Sequence, residues 1–322
     1  MYQKIGLFFL LFFIGYNQLL SQQTPLFTQY REYHSFINPA SINSDYIWNE
    51  APLSFGISSR TQWANQAFTP RTFFLRGEYV YNSGGTFGLV SGGYIIKDNY
   101  DPFSVTGVIG RIGVLTLGDK GFGGRDHHAR SLSIGFSGGI LQYRLNTTDL
   151  ITPALVDETI NTKATAPELG VGIFYQQKMG RYSDNAIYFG LSSPQILGTT
   201  FEIGAGSSQA SFTKQAHYYG LIGYYKSLGD ATFLEPSIWI SYLKGGTVQI
   251  DANLRYQMSE FLWLGFGYGS QGVLHFEAGV WIGGLDNDTR VKIGYGIDNY
   301  LASYGPFFGP SYEINVGLVI GE

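Results

Sequence analysis

Apolar and polar residues alternate along most of this chain. Over 248–258, VQIDANLRYQM, the residues Val248, Ile250, Ala252, Leu254, Tyr256 and Met258 interleave without a break with Gln249, Asp251, Asn253, Arg255 and Gln257. A strand turns successive side chains to opposite faces, so the segment has one apolar and one polar face. The same period recurs from Pro52 to the C-terminus. It predicts strands over 52–60, 71–80, 85–97, 103–116, 129–145, 166–178 and 186–194. Seven more follow, over 216–228, 232–243, 247–258, 261–270, 273–284, 289–298 and 311–320. The total is even, as antiparallel closure of a bacterial single-chain barrel requires. No long helix-period segment intervenes, which excludes βαβ architectures, and no fixed-length repeat supports a propeller or solenoid.

The late segments indicate which solvent each face meets. In 289–298, Val291, Ile293, Tyr295 and Ile297 oppose Arg290, Lys292, Gly294, Gly296 and Asp298. In 273–284, Leu274, Phe276, Ala278, Val280 and Ile282 oppose His275, Glu277, Gly279, Trp281 and Gly283. In 311–320, Ile314, Val316, Leu318 and Ile320 oppose Glu313, Asn315 and Gly317. A soluble two-sheet sandwich also gives each strand one polar face. It rarely needs so many long strands with such clean apolar faces. The expected fold is therefore all-β: an up-and-down antiparallel transmembrane barrel of about fourteen strands, apolar face to lipid and polar face to the lumen. Gln249, Asp251, Asn253, Arg255, Glu277, Lys292, Asp298 and Glu313 are the expected lumen residues, their opposite charges pairing across a narrow or plugged interior in preference to forming a binding surface or conduction path. Tyr242, Tyr256, Tyr268 and Trp263 are expected in interfacial girdles. Short links fall at Gly245–Gly246, Glu260, Ser270–Gly272 and Leu285–Asp288, long ones at 117–128, 146–165 and 195–215. The barrel rule puts short turns at the periplasmic end and long loops outside.

Composition sharpens this reading. Charged residues make up 14 % of the chain, against about 25 % in an ordinary soluble protein, while Tyr and Phe number 24 each and Gly 44. A net charge of −4 argues against a nucleic-acid partner. The absence of cysteine excludes disulfides, thiolate metal sites and a lipoprotein anchor. At the N-terminus, MYQKIGLFFLLFFIGYNQLLSQQ has a basic start at Lys4 and an apolar run from Ile5 to Ile14. Leu19-x-Ser21 then precedes Gln22, a cleavage pattern between Ser21 and Gln22. Such a run is too short to span a bilayer and reads as a signal peptide. The expected organisation is a signal peptide over 1–21, an extended lead-in over 22–50 and a barrel over 51–322.

Chemistry-bearing motifs are sparse. No glycine-rich phosphate loop opens a helix, and no G-x-S-x-G elbow is present. His127 and His128 stand beside Asp126, but neighbouring side chains in an extended segment point apart, which disfavours a metal site. DNDT at 286–289 lacks the glycine and distal glutamate of a Ca²⁺ loop and reads as a turn. The expectation is no catalytic residue, no metal, no cofactor and no enzymatic activity.

Several stretches resemble one known family. The lead-in QQTPLFTQYREYHSFINPASI (22–42) is similar to the N-terminal region of PorP/SprF outer-membrane proteins of Bacteroidetes, which carry an "FSQY…NPA" stretch. The likeness continues in SRTQW (59–63), AFTPRT (67–72), APELGVGIFY (166–175), YFGLSSPQIL (188–197) and HYYGLIGYY (217–225). It extends through FLEPSIWISYLKG (233–245), VQIDANLRYQM, KIGYGID (292–298) and SYEINVGL (311–318). The resemblance implies a fourteen-stranded outer-membrane barrel that serves type IX secretion. Members support secretion or surface attachment of large adhesins bearing a type B C-terminal sorting domain, and some are tied to gliding motility. Two features depart from the family pattern: the chain ends VGLVIGE rather than in an aromatic, and the GFGGRDHH loop within 117–128 has no counterpart.

The resemblance is densest at Phe27, Gln29, Tyr30, Asn38, Pro39, Arg60, Gln62 and Trp63. These residues either pack the barrel's periplasmic end or engage a partner. The expectation is that the lead-in folds into or under the lumen, held by Arg60 and Trp63, and closes it. Expected partners are outer-membrane lipid and a secreted adhesin-like protein or type IX components. The alternative function is an outer-membrane channel for small solutes.

Overall fold

A computed structural model describes residues 27–42, 46, 51–82, 85–118, 130–145, 163–179, 185–198, 200–203, 210–229, 231–244, 246, 248–283, 288–301 and 305–321. The expected signal peptide with Ser21 and Gln22, and the loop residues Asp126, His127 and His128, lie outside them.

The strands are β1 (Leu53–Thr61), β2 (Arg71–Asn82), β3 (Phe87–Tyr100), β4 (Phe103–Leu117), β5 (Arg130–Leu145), β6 (Lys163–Lys178) and β7 (Ala186–Gln195). A short hairpin, β8 (Thr200–Ile203) with β9 (Ala210–Thr213), interrupts the series. Then come β10 (His217–Gly229), β11 (Thr232–Leu243), β12 (Val248–Gln257), β13 (Leu262–Gly269), β14 (Val273–Ile282), β15 (Thr289–Tyr300) and β16 (Ser311–Ile320). All but the hairpin join one closed barrel of fourteen antiparallel strands, in chain order. Closure falls between β1 and β16, where Leu53 opposes Ile320 and Arg60 opposes Glu313. Each barrel strand lies within three residues of its predicted bounds at either end. The β8–β9 hairpin, four residues a strand, falls in the predicted 195–215 link because so short a run carries no readable period.

The faces divide by parity. On β12, Val248, Ile250, Leu254 and Tyr256 are exposed on the outside, while Asn253, Arg255 and Gln257 are buried within. Neighbouring strands repeat the pattern, so the barrel carries isoleucine, leucine, phenylalanine and tyrosine outward and its buried charges inward, while Arg71, Lys97, Arg130, Arg144 and Lys163 are exposed at or near strand ends. In water this is an inverted protein; in a bilayer it matches solvent to surface. Tyr242, Tyr256 and Tyr268 follow the outward rule. Trp263 does not: it faces inward at 3 % exposure, packed with Ala51, Trp281 and Val319, and not in a girdle. Parity on β13 decides its side, because Leu262 and Leu264 already occupy the outer face.

Topology also corrects the sorting of loops. β1 begins and β16 finishes at one end of the barrel, the terminal end. Each barrel strand reverses the direction of the last, so the link after β4, which contains 119–128, returns to that same end. Hence Leu117 and Arg130, which flank this link, lie at the opposite end from Leu145 and Gln195, which precede the other two long links. Short turns occur at both ends: Ser270–Gly272 at the far end, and the link through Glu260 at the terminal one.

Candidate functional site: the occupied lumen

The lead-in fills the middle of the barrel. Its descent begins near the far end, where Thr28 lies beside Arg60, and reaches the terminal end at Ala51, just before β1. Local chemistry gives it a compact shape. Residues Tyr30–Tyr33 form a 3-10 turn, His34–Ile37 follow as one α-helical turn, and the N–H of Asn38 donates to the His34 carbonyl at 2.9 Å. The Asn38 side chain accepts from the N–H of Ala40 at 2.9 Å, an Asx turn with Pro39 at its centre. Above it, Phe27 stacks on Tyr33 with ring centroids 3.6 Å apart and meets Phe36 and Phe74 edge-on. All of 28–42 is buried.

Charge holds this segment to opposite walls. Arg31 donates to Glu235 of β11 at 2.8 Å and to Glu277 of β14 at 2.5 Å. Glu235 also pairs with Arg255 at 2.9 Å and accepts from the Tyr188 hydroxyl at 2.7 Å. The next residue, Glu32, faces cations instead: Arg76 of β2 at 2.6 Å and Lys292 of β15 at 2.7 Å. Burial disfavours its charge, yet Lys292 and Arg76 outweigh that and hold the Glu32 carboxyl below the usual carboxylate range. Nearer the far end, Arg60 donates to Asp298 and to the Thr28 hydroxyl, both at 2.5 Å, and lies 3.5 Å from Glu313. Glu313 in turn accepts the backbone N–H groups of Thr28 and Gln29 at 2.8 and 3.1 Å. Lower down, Arg111 donates to the Ser41 and Pro39 carbonyls at 2.7 and 3.2 Å. Asn38 and Ile37 bond to Ile173 of β6 and Ser192 of β7. A buried charge is tolerable only when paired, and here plug and wall supply each other's counter-ions.

The wall also makes room. A Cβ on Gly135 of β5 would lie 2.6 Å from the Pro39 carbonyl oxygen and 2.7 Å from Ala40, and one on Gly172 of β6 would run into the Asn38 side chain. Glycine lets the lead-in backbone lie directly on the sheet.

The residues expected at the lead-in and barrel end do not all act together. Phe27, Gln29, Tyr30, Asn38, Pro39 and Arg60 meet in the lumen; the Gln29 side chain rests against Gly294, and the Tyr30 hydroxyl bonds Ser237 beside Trp239. Gln62 is half-buried just past β1, where its N–H donates to the Pro70 carbonyl in the far-end turn. Trp63 does not hold the lead-in. It adopts φ 56°, its N–H donates to Ser311, and its ring lies 4.9 Å from Phe308 in the helical turn Gly305–Phe308. That turn, too short for a periodic signal, covers the tryptophan in place of the returning chain. Of the expected lumen set, Arg255, Glu277, Lys292, Asp298 and Glu313 carry the ion pairs above. Asp251 lies 3.4 Å from His275, Asn253 stands against Gly267, and Gln249 is half-buried on the inner face. Sequence reasoning passed over Arg31, Glu32, Arg76, Glu78, Arg111 and Glu235. The strand parity applied to the late segments also turns Arg76, Arg111 and Glu235 inward. Nothing in the alternation announces Arg31 and Glu32, which sit outside any strand.

Among the described residues no group of three or more His, Cys, Asp or Glu is arranged to hold a metal ion. No described helix is long and apolar enough to cross a membrane. A closed, even-stranded antiparallel barrel with an apolar exterior and a charged, filled interior belongs to the class of outer-membrane barrels. The family model for the type IX secretion system membrane protein PorP/SprF matches residues 19–318. The chain belongs to that family, and its place is the outer membrane. No curated protein matches the sequence. Among solved structures it is similar to the toluene transporter TbuX of Ralstonia pickettii, at 8 % identity over 88 % of this chain and 91 % of that one, with TM-score 0.52. It is also similar to the toluene transporter TodX of Pseudomonas putida (9 % identity, 88 % and 94 % covered, TM-score 0.47). A third is the translocator domain of the autotransporter NalP from Neisseria meningitidis (12 %, 84 % and 87 %, 0.45). At such identities the likeness concerns the fold alone.

Proposed function

We propose that the protein is a non-enzymatic accessory of type IX secretion that works by recognition: it engages an exported partner, of the adhesin type bearing a type B sorting domain, at the outer membrane. In some cells that partner would serve gliding. The observation that carries this reading is the lead-in, bound through Arg31 and Glu32 to four strands, which supports an occupied lumen over an open solute path. On this reading residues 1–21 are removed after Ser21, 22–50 form the plug segment and 51–322 the barrel. The terminal end faces the periplasm and the far mouth, with its long links, faces outward. Phe27, Gln29, Tyr30, Asn38, Pro39 and Arg60 then act as plug contacts, while Gln62 and Trp63 shape the far rim.

The test is affinity purification of the tagged full-length protein from its own membranes, together with surface labelling of a deletion strain. A large secreted adhesin should co-purify and should disappear from the surface when the barrel is deleted. An unchanged surface proteome, with porin-like conductance of the intact protein in planar bilayers, would instead support the small-solute channel.

A further inference from the structure

The plug does not fill the barrel evenly. Its ion pairs tie it to β2, β11, β14 and β15, hydrogen bonds of Thr28 and Gln29 tie it to β1 and β16, and on the other side a cleft remains between Phe36 and the inner faces of β3 to β7. Tyr94, Tyr100 and Tyr143 line it, with Glu168, Gln195 and Lys214 beside them. Tyr100 and Gln195 are the last residues of their strands and Tyr143 is near the end of β5, so the cleft lies toward the far mouth.

Its polar groups are unevenly satisfied. Glu168 accepts from the Lys214 ammonium at 2.6 Å through one carboxylate oxygen; the other oxygen is buried with no partner. The side-chain oxygen of Gln195 is also buried and unpaired. These residues are 4 % and 8 % exposed. Asp98 adds a second carboxylate, which accepts from Thr72 at 2.6 Å. Among the residues that line the cleft, two carboxylates face one ammonium, with Arg60 acting on Asp98 from beyond the lining. A buried acceptor without a donor is costly and uncommon in a native fold, and two in one cleft call for a ligand that brings donors. Tyrosine rings beside carboxylates favour a flat cation, and a guanidinium is donor-only, planar and always charged.

We propose that this cleft receives an arginine side chain from an extended segment of the exported partner, with Glu168 and Gln195 accepting its N–H groups and the tyrosines flanking its plane. The proposal rests on the export reading for the source of that segment only; the chemistry of the cleft stands on the residues themselves.

The probe is an acetylated, amidated Gly-Ser-X-Ser-Gly peptide with X as arginine, norleucine or glutamate, titrated calorimetrically into the full-length protein in detergent. The arginine peptide should bind saturably, and the other two about tenfold or more weaker, as expected for loss of a charge-assisted contact. Gln195→Leu and Glu168→Gln should each weaken the arginine peptide severalfold while heat-modifiability on gels shows the barrel intact. Tyr94→Phe, which keeps the ring, should bind like the parent. Equal affinity for arginine and norleucine peptides overturns the assignment, as does undiminished arginine binding by a folded Gln195→Leu variant. Peptide binding without co-purification of an adhesin leaves the cleft standing and removes the export reading. Co-purification without peptide binding does the reverse.

Discussion

Arg255 and Tyr256 are neighbours in sequence and face different solvents. Arg255 is 6 % exposed and lies 2.9 Å from Glu235, whereas Tyr256 is exposed on the outer face. Arg255→Leu removes one of the two cations that pair Glu235 and should cost about 3–5 kcal/mol, the usual result of stripping one partner from a buried pair. Tyr256→Leu keeps an apolar group in lipid and should cost less than about 1 kcal/mol. Urea midpoints of the two variants, measured in the same detergent, should rank accordingly; the reverse order would refute the assignment of faces. His34 gives a pH-dependent counterpart. It is 1 % exposed with neither ring nitrogen hydrogen-bonded. Burial lowers its pKa to about 4 despite the opposing pull of Glu235, with nearby Arg31 lowering it further. Between that value and the unfolded 6.5 the unfolded chain binds the extra proton, so stability is present above pH 6.5 and is lost as pH falls toward 4. From pH 7 to pH 5 the loss from this group should be about 2 kcal/mol. His34→Leu should remove that part of the pH dependence, read as the difference between urea midpoints at the two pH values.

Among elements, the lead-in differs from the strands in what holds it. A barrel strand is fixed by backbone ladders on both edges, whereas 27–42 depends on side-chain ion pairs, a few hydrogen bonds to backbone and the space left by wall glycines. The barrel should therefore outlast the loss of its plug. Deleting residues 24–45 should leave an inserted, heat-modifiable barrel with greater single-channel conductance than the intact protein. Gly135→Val should do the same without shortening the chain, because its side chain would occupy the place of the Pro39–Ala40 backbone. Unchanged conductance in a folded deletion variant would show that the lead-in does not close the lumen. The residues that make the element legible are unequal. Asn38 and Pro39 mark a turn by their chemistry alone. Arg31 and Glu32, which bear the strongest pairing, look in the sequence like any exposed charged pair until the walls bring Glu235, Glu277, Arg76 and Lys292 to them.

For the whole molecule, the apolar exterior is the property on which insertion depends. Ile250→Arg places a charge on the lipid face at 39 % exposure, which should cost ~2–4 kcal/mol near the bilayer midplane and cut the inserted fraction in membrane fractionation. Gln249→Arg, one position along and half-buried on the inner face, should insert like the parent. Equal behaviour of the two would contradict a lipid-facing barrel.

Alternation by itself determined the number of strands, their approximate bounds and the side on which each late-strand residue lies, because period two is a local property of the backbone. It also placed Asp251, Arg255, Glu277, Lys292, Asp298 and Glu313 inside together, since closure brings one face of every strand to the same space. Motif resemblance, not period, singled out the lead-in. What only the tertiary structure decided concerns meetings between distant residues. Trp63 meets Phe308 rather than the lead-in, because the turn Gly305–Phe308 lies beside it at the rim. Trp263 turns inward because strand parity outranks the preference of tryptophan for an interface. The link after β4 lies at the terminal end because direction follows strand order and not loop length. Arg31 and Glu32 become the anchors of the plug only when closure sets carboxylates on one side of them and cations on the other, a coincidence of charge that no single stretch of sequence contains.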